Sequence, residues 1–146
     1  MNAEGRDAGL AQARAVLAAQ PFSAMLGAEV AALSAEGVEL RLPVSGALLQ
    51  QHGFVHGGVV AYLADNALAF AGGLRLQGRI VTAEMKINYV RPATGEALVA
   101  RGRAVSAGRI QAVARCEVFA VADGAERLCA AALGTVVAAG TPPEPG

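Results

Sequence analysis

The chain has 146 residues, 54% of them apolar, and its twelve basic and twelve acidic side chains cancel to zero net charge. Such a length and apolar content suit one compact domain with its own core rather than two domains or a disordered partner, and the zero charge argues against a generic nucleic-acid binder. Cys116 and Cys129, without CxxC spacing or a preceding signal peptide, fit a reduced cytoplasmic protein; Asp65 and Asn66 interrupt the central apolar run before the roughly 20 residues that a membrane span needs.

The Ala-rich stretch DAGLAQARAVLAAQ carries Leu10, Ala13, Leu17 and Gln20 near helical spacing, predicting a helix over 7–20 that Pro21 stops. GAEVAALSAEGVELRLPV supplies two extended pieces around 35–37, the second with Val38, Leu40 and Leu42 alternating against Glu39 and Arg41. SGALLQQHGFVH loses that alternation and reads as a loop. A central helix then begins at Gly57 and Gly58 and is released near Gly72 and Gly73.

After it the period changes from 3.6 to 2. Val81, Ala83, Met85, Ile87 and Tyr89 predict one face of a strand and Thr82, Glu84, Lys86 and Asn88 the other, with Pro92 ending the ladder. Residues 96–106, 109–121 and 126–138 predict three more strands, and Asp123-Gly124 marks a hairpin because both accept positive φ. The tail GTPPEPG is expected to be disordered, as are residues 1–6, which leaves a single α+β domain with its core over about 21–138. An antiparallel sheet laid against one apolar helix is the economical way to bury that helix.

Several function classes lack their motifs. His-Gly-Gly is not GxGxxG, no GKS or GKT is present, and the spacing of His52, His56 and Asp65 matches no zinc pattern. No metal and no cofactor are expected. Charge is nonetheless segregated: between Gly72 and Cys116 eight basic residues face only Glu84 and Glu96, a local balance of plus six that suits a small anionic ligand or ordinary sheet solvation.

Chemistry gathers on the central helix. Its first turn leaves backbone N–H groups unsatisfied, the two glycines let another group approach them, and the helix dipole adds positive potential there, a setting for a developing oxyanion or only for a tight turn. Asp65 is the one carboxylate within VVAYLADNALAFA, so it must be hydrogen-bonded, exposed in a cleft, paired with a basic strand residue, or shifted in pKa.

FVHGGVVAYLADNALAFA followed by IVTAEMKINYVRPATGE resembles the PaaI-like acyl-CoA thioesterases of the hotdog-fold superfamily, and the similarity covers roughly residues 21–138. The resemblance implies a long helix wrapped by a curved antiparallel sheet, dimers that often pair into tetramers, and hydrolysis of an acyl- or aryl-acyl-CoA thioester in which coenzyme A is part of the substrate. Carried onto this chain, it implies the Gly57 N–H as oxyanion donor, just after His56, and Asp65 as the catalytic carboxylate. Thr82 is implied to hold the water, and Gln50 stands where the family commonly has Asn. Strict alternation puts Thr82 opposite Val81, Ala83 and Met85, so it reaches the cleft only if the apolar face is not the catalytic one there or if the strand bulges. Phe54, Val55, Gly58, Tyr62, Asn66 and Arg91 complete the expected substrate-binding set, with Leu63 and Phe70 as further acyl-pocket candidates and Arg91 meeting CoA phosphates.

Gly57 and Asp65 are eight residues apart, about 12 Å along a helix axis. That is too far to act on one carbonyl carbon, so the two are expected to come from different chains of a homodimer. A hotdog dehydratase using His56 and Asp65, a non-catalytic acyl-CoA-binding module and a ligand-free structural dimer are the competing readings.

Overall fold

The computed structural model describes residues 3–140. In chain order its elements are α1 (Ala3–Ala18), α2 (Pro21–Leu26), β1 (Glu29–Leu33), β2 (Gly37–Pro43), a 3-10 turn (Gly46–Leu48), α3 (Gly57–Gly73), β3 (Ile80–Tyr89), β4 (Ala97–Ala107), β5 (Gln111–Ala122) and β6 (Ala125–Ala138). One six-stranded sheet in the order β1-β2-β4-β5-β6-β3, antiparallel at every pairing, curves around α3. This is the expected α+β arrangement in a single domain.

The core lies between α3 and the concave sheet face. Val60, Leu63, Ala64, Ala67, Leu68 and Ala71 of α3 are buried against Val38, Leu40, Leu42, Leu98, Ala100 and Val118. Each fully covered leucine contributes on the order of 1.5–3 kcal/mol, and the alanines between them let the sheet come close. At Gly102 the two backbones meet, since a Cβ there would lie 2.3 Å from the Ala67 carbonyl oxygen, and a Cβ at Gly72 would lie 2.1 Å from Val136 Cγ2. The β5–β6 hairpin turns at Asp123-Gly124 with φ of 52° and 76°, as the dipeptide predicts.

Three local expectations are corrected. Residues 3–6 are helical rather than disordered, since α1 begins at Ala3; of the rest of the expected disorder, Gly140 is exposed outside any helix or strand, and 1–2 and 141–146 lie outside the described residues. Pro21 does not merely stop α1 but opens α2 at its first position, where its missing N–H has no helical partner to lose. Finally, β3 does not hold one alternation. Its ladder with β6 runs Thr82↔Val136 and then Glu84↔Thr135, so Ala83 is an inserted residue and the strand changes phase across it. Ile80 and Thr82 face inward before the bulge and Met85 and Ile87 after it, while Val81 is 52% exposed.

Candidate active site

The helix start is organised by His56. Its N–H donates to the Leu48 carbonyl at 2.8 Å, its own carbonyl accepts from Val59 at 2.9 Å, and its Nδ1 accepts from the Gly58 N–H at 2.8 Å. The imidazole is thus an N-cap, and a Cβ at Gly58 would come 3.0 Å from Nδ1, a tight contact that would press on the capping ring. The Gly57 N–H, by contrast, donates to nothing among the described residues. Its φ is not positive, and a Cβ there would meet the Tyr89 ring at an ordinary 3.5 Å. Neither backbone conformation nor the packing of this chain therefore requires glycine at 57.

A concavity of about 370 Å³ opens at this end, lined by Gln50, Phe54, Val55, Gly57, Tyr89 and Arg91 among others. The Tyr89 hydroxyl donates to the Gly57 carbonyl at 3.2 Å, which fixes one wall. Gln50 Oε1 accepts from the His52 N–H inside the loop, leaving the amide NH2 without a partner among the described residues. Arg91 donates from Nη1 to the Leu128 carbonyl at 3.2 Å and forms no ion pair among those residues.

Two turns along α3, Thr82 Oγ1 donates to Asp65 Oδ1 at 2.7 Å. The bulge at Ala83 makes this contact compatible with an apolar face below it: Thr82 points at the helix, and the phase change still turns Met85 and Ile87 inward. Asp65 is half-buried, and no lysine or arginine pairs with it among the described residues. Its second oxygen is thus left open. An apolar cavity of about 440 Å³ is walled by Gln12, Ala13 and Val16 of α1, by Asn66 and Phe70 of α3 and by Ile80. Its lining includes Asn66, next to Asp65 in the chain, and Ile80, two residues before Thr82, but neither Asp65 nor Thr82 themselves.

The expected residues therefore fall into two groups on one chain. Gln50, Phe54, Val55, His56, Gly57, Gly58 and Arg91 gather at the start of α3, whereas Asp65, Asn66 and Thr82 lie two turns away, with Phe70 a further turn along. Leu63 is fully buried and lines neither space. Tyr62 turns to α2, where its hydroxyl donates to Ser23 Oγ at 2.6 Å, Ser23 donates on to Gln20 Oε1 at 2.6 Å, and Phe22 packs edge-on at 5.1 Å. Burial raises the Tyr62 pKa, and the Ser23 hydrogen bond partly offsets that. Sequence reasoning missed Tyr89 as the wall beside Gly57 and missed the α1 residues of the cavity. That α1, which packs on β1, shares a cavity with α3 leaves no local signal, because the lining residues are some fifty positions apart in the chain.

The thioesterase superfamily profile matches residues 52–127, just over half of the chain. The structure of a thioesterase family protein from Silicibacter pomeroyi superposes with a TM-score of 0.82 at 38% identity, covering 88% of this chain and 97% of that one. The phenylacetic acid degradation protein PaaI of Thermus thermophilus, solved as a mutant, superposes with a TM-score of 0.70 at 34% identity over 81% of this chain and 98% of that one. A Haemophilus influenzae protein assigned as an esterase is 33% identical over 86 residues, which make up 58% of this chain and span 62% of that relative's length. With the wrapped helix and the matched profile in agreement, the chain belongs to the PaaI-like family of the hotdog-fold thioesterase superfamily.

Proposed function

We propose that this protein hydrolyses acyl- or aryl-acyl-CoA thioesters at sites shared between two subunits. The observation that carries the reading is Asp65, a half-buried carboxylate with no cationic partner among the described residues, oriented by Thr82 at 2.7 Å and with no hydrogen bond to its other oxygen among those residues. A carboxylate serving only stability in such a place would be expected to face a lysine or arginine.

In this mechanism the acyl group occupies the cavity beside Phe70 and Asn66, and the thioester carbonyl lies between Asp65 and Gly57 of the partner subunit. Asp65 either draws a proton from water, whose oxygen then attacks the carbonyl carbon, or attacks that carbon itself to form an anhydride that water opens. The carbonyl π electrons move onto oxygen, where the Gly57 N–H of the partner subunit and the dipole of its helix stabilise the charge. Collapse expels CoA thiolate and leaves the free acid. The Gln50 NH2 and Arg91 are then placed to meet the carbonyl region and the CoA arm. The separation of about 12 Å between Gly57 and Asp65 within one chain supports the shared site, and β3, an edge strand carrying Thr82, offers an unpaired backbone to a second copy.

The dehydratase alternative is weakened by His56, whose Nδ1 lone pair is occupied by Gly58, so that the Nε2 position carries the proton and is poorly suited to abstract one. A non-catalytic acyl-CoA-binding module predicts ligand binding without thiol release. The test is a panel of acyl-CoA and aryl-acyl-CoA substrates, with thiol release read by a chromogenic disulfide, on wild type and Asp65→Asn. Turnover by wild type and a loss on the order of 100-fold in a folded Asp65→Asn are expected. A folded, fully active Asp65→Asn refutes the mechanism.

A further inference from the structure

We propose that Arg75, Arg103 and Arg115 form a phosphate-binding site, separate from the residues assigned to hydrolysis. Arg75 follows the end of α3, Arg103 lies on β4 and Arg115 on β5, and the three line one open concavity of about 480 Å³ in which the only acid is Glu36. The β4–β5 register sets Arg103 directly opposite Arg115. Residues so paired lie on one face with Cα atoms about 4.5–5.5 Å apart, and like charges in that position destabilise a sheet.

The same face shows how this chain accommodates an arginine for structural purposes. Two residues earlier on β4, Arg101 stands opposite Glu117 and its guanidinium is fully engaged. Nε lies 2.7 Å from Glu39, the two terminal nitrogens lie 2.6 and 2.7 Å from the Glu126 carboxylate, and the group stacks over Phe119 at 5.1 Å. At the Arg103–Arg115 pair none of this is repeated. Arg103 reaches only Glu36, at 3.9 Å and with Glu36 80% exposed, a contact worth little in water. Arg75 and Arg115 have no carboxylate in ion-pair range among the described residues. A helix C-terminus favours a nearby cation and so accounts for Arg75; it does not account for two further cations facing each other.

Three arginines lining one concavity with one exposed acid match a ligand of at least two negative charges. Their planar donor forks fit phosphate oxygens in pairs, so the ligand class is a phosphate ester or pyrophosphate. Two sources share that chemistry: the nucleotide end of a CoA thioester, an assignment that rests on the acyl-CoA reading, and a separate nucleotide that does not. Asp65 and Arg75 are about 15 Å apart along the α3 axis, so an extended CoA arm has room to run between them.

Titration calorimetry of the full chain with inorganic pyrophosphate and with adenosine 3′,5′-bisphosphate tests the site without requiring any turnover. Wild type is expected to bind, more weakly as salt rises, and Arg103→Gln/Arg115→Gln to bind at least about 10-fold more weakly, a fold-change equal to about 1.4 kcal/mol. Arg127→Gln, an exposed position on β6 that lines neither this concavity nor those assigned to substrate, is expected to bind as wild type does. Because the double substitution removes a like-charge pair, it should melt no lower than wild type, which separates loss of ligand from loss of fold. Michaelis constants then identify the source. A rise for acyl-CoA with none for the N-acetylcysteamine thioester points to the nucleotide end of the substrate, and lost phosphate binding with both constants unchanged points to a separate nucleotide. Absence of pyrophosphate and bisphosphate binding in wild type, or equal binding in the folded double variant, overturns the proposal.

Discussion

Replacing Gly57 by alanine should raise stability and abolish most turnover, two effects of opposite sign from one methyl group. The added Cβ would lie 3.5 Å from Tyr89 Cε1, 3.7 Å from Cζ and 3.8 Å from the hydroxyl oxygen, all ordinary van der Waals distances. The backbone at 57 is within the range alanine adopts, so the substitution reduces the freedom of the unfolded chain without straining the folded one. That gain is about 0.4–1 kcal/mol, or about 1–4 °C in melting temperature for a chain of this size. The same methyl, however, stands beside the one N–H at the helix start that has no partner among the described residues. A carbonyl held away from that donor loses oxyanion stabilisation, for which removal of one donor costs about 100- to 1,000-fold in kcat. Calorimetric melting and thiol release on the same preparation read both quantities. A Gly57→Ala protein that keeps turnover within about threefold would refute the oxyanion assignment, and one that melts lower while losing activity in proportion would show that residue 57 serves packing.

Thr82→Val keeps the shape of the side chain and removes the one hydrogen-bond donor to the Asp65 carboxylate among the described residues. A hydrogen bond to a charged group contributes about 1.5–3 kcal/mol to stability, so the variant should melt several degrees lower, and with the carboxylate no longer oriented kcat of the folded protein should fall about 10- to 100-fold, as melting and steady-state kinetics will show. Mixed dimers of Asp65→Asn chains with Gly57→Val chains should recover about half of wild-type activity, since one of two symmetric sites then holds both intact groups; verified heterodimers without recovery exclude the shared site. Arg101 holds Glu126 below the ordinary glutamate value of 4.5, through hydrogen bonding first and charge second. A depressed carboxylate stabilises the fold above its unfolded pKa and loses that contribution as pH falls through its folded one. The stability difference between wild type and Arg101→Gln should accordingly shrink as pH is lowered below about 4.5, as urea titrations across that range will measure.

What the sequence determined by itself is what short-range physics controls. Glycines at 57–58 and 72–73 bound α3 because they end an apolar run of helical period, and Asp123-Gly124 makes the β5–β6 turn because those two residues tolerate positive φ. Val38, Leu40 and Leu42 show their burial through simple alternation on β2. Asp65 stood out in the sequence as a candidate because a charge within an apolar helix needs a reason to be there. The tertiary structure alone decided how these pieces meet. Whether Thr82 reaches Asp65 depends on the bulge at Ala83, which is a property of the β3–β6 ladder and not of either strand, and one inserted residue exchanges the two faces of a strand. Whether Pro21 ends one helix or begins another depends on α2 docking through Ser23 onto Tyr62, thirty-nine residues on. The walls of the cavity beside Asn66 come from α1, which carries no pattern naming its partner. Arg101 and Arg115 look alike in the sequence, and one is neutralised while the other faces a like charge because strand register, set by pairing along the whole ladder, chooses what stands opposite each of them.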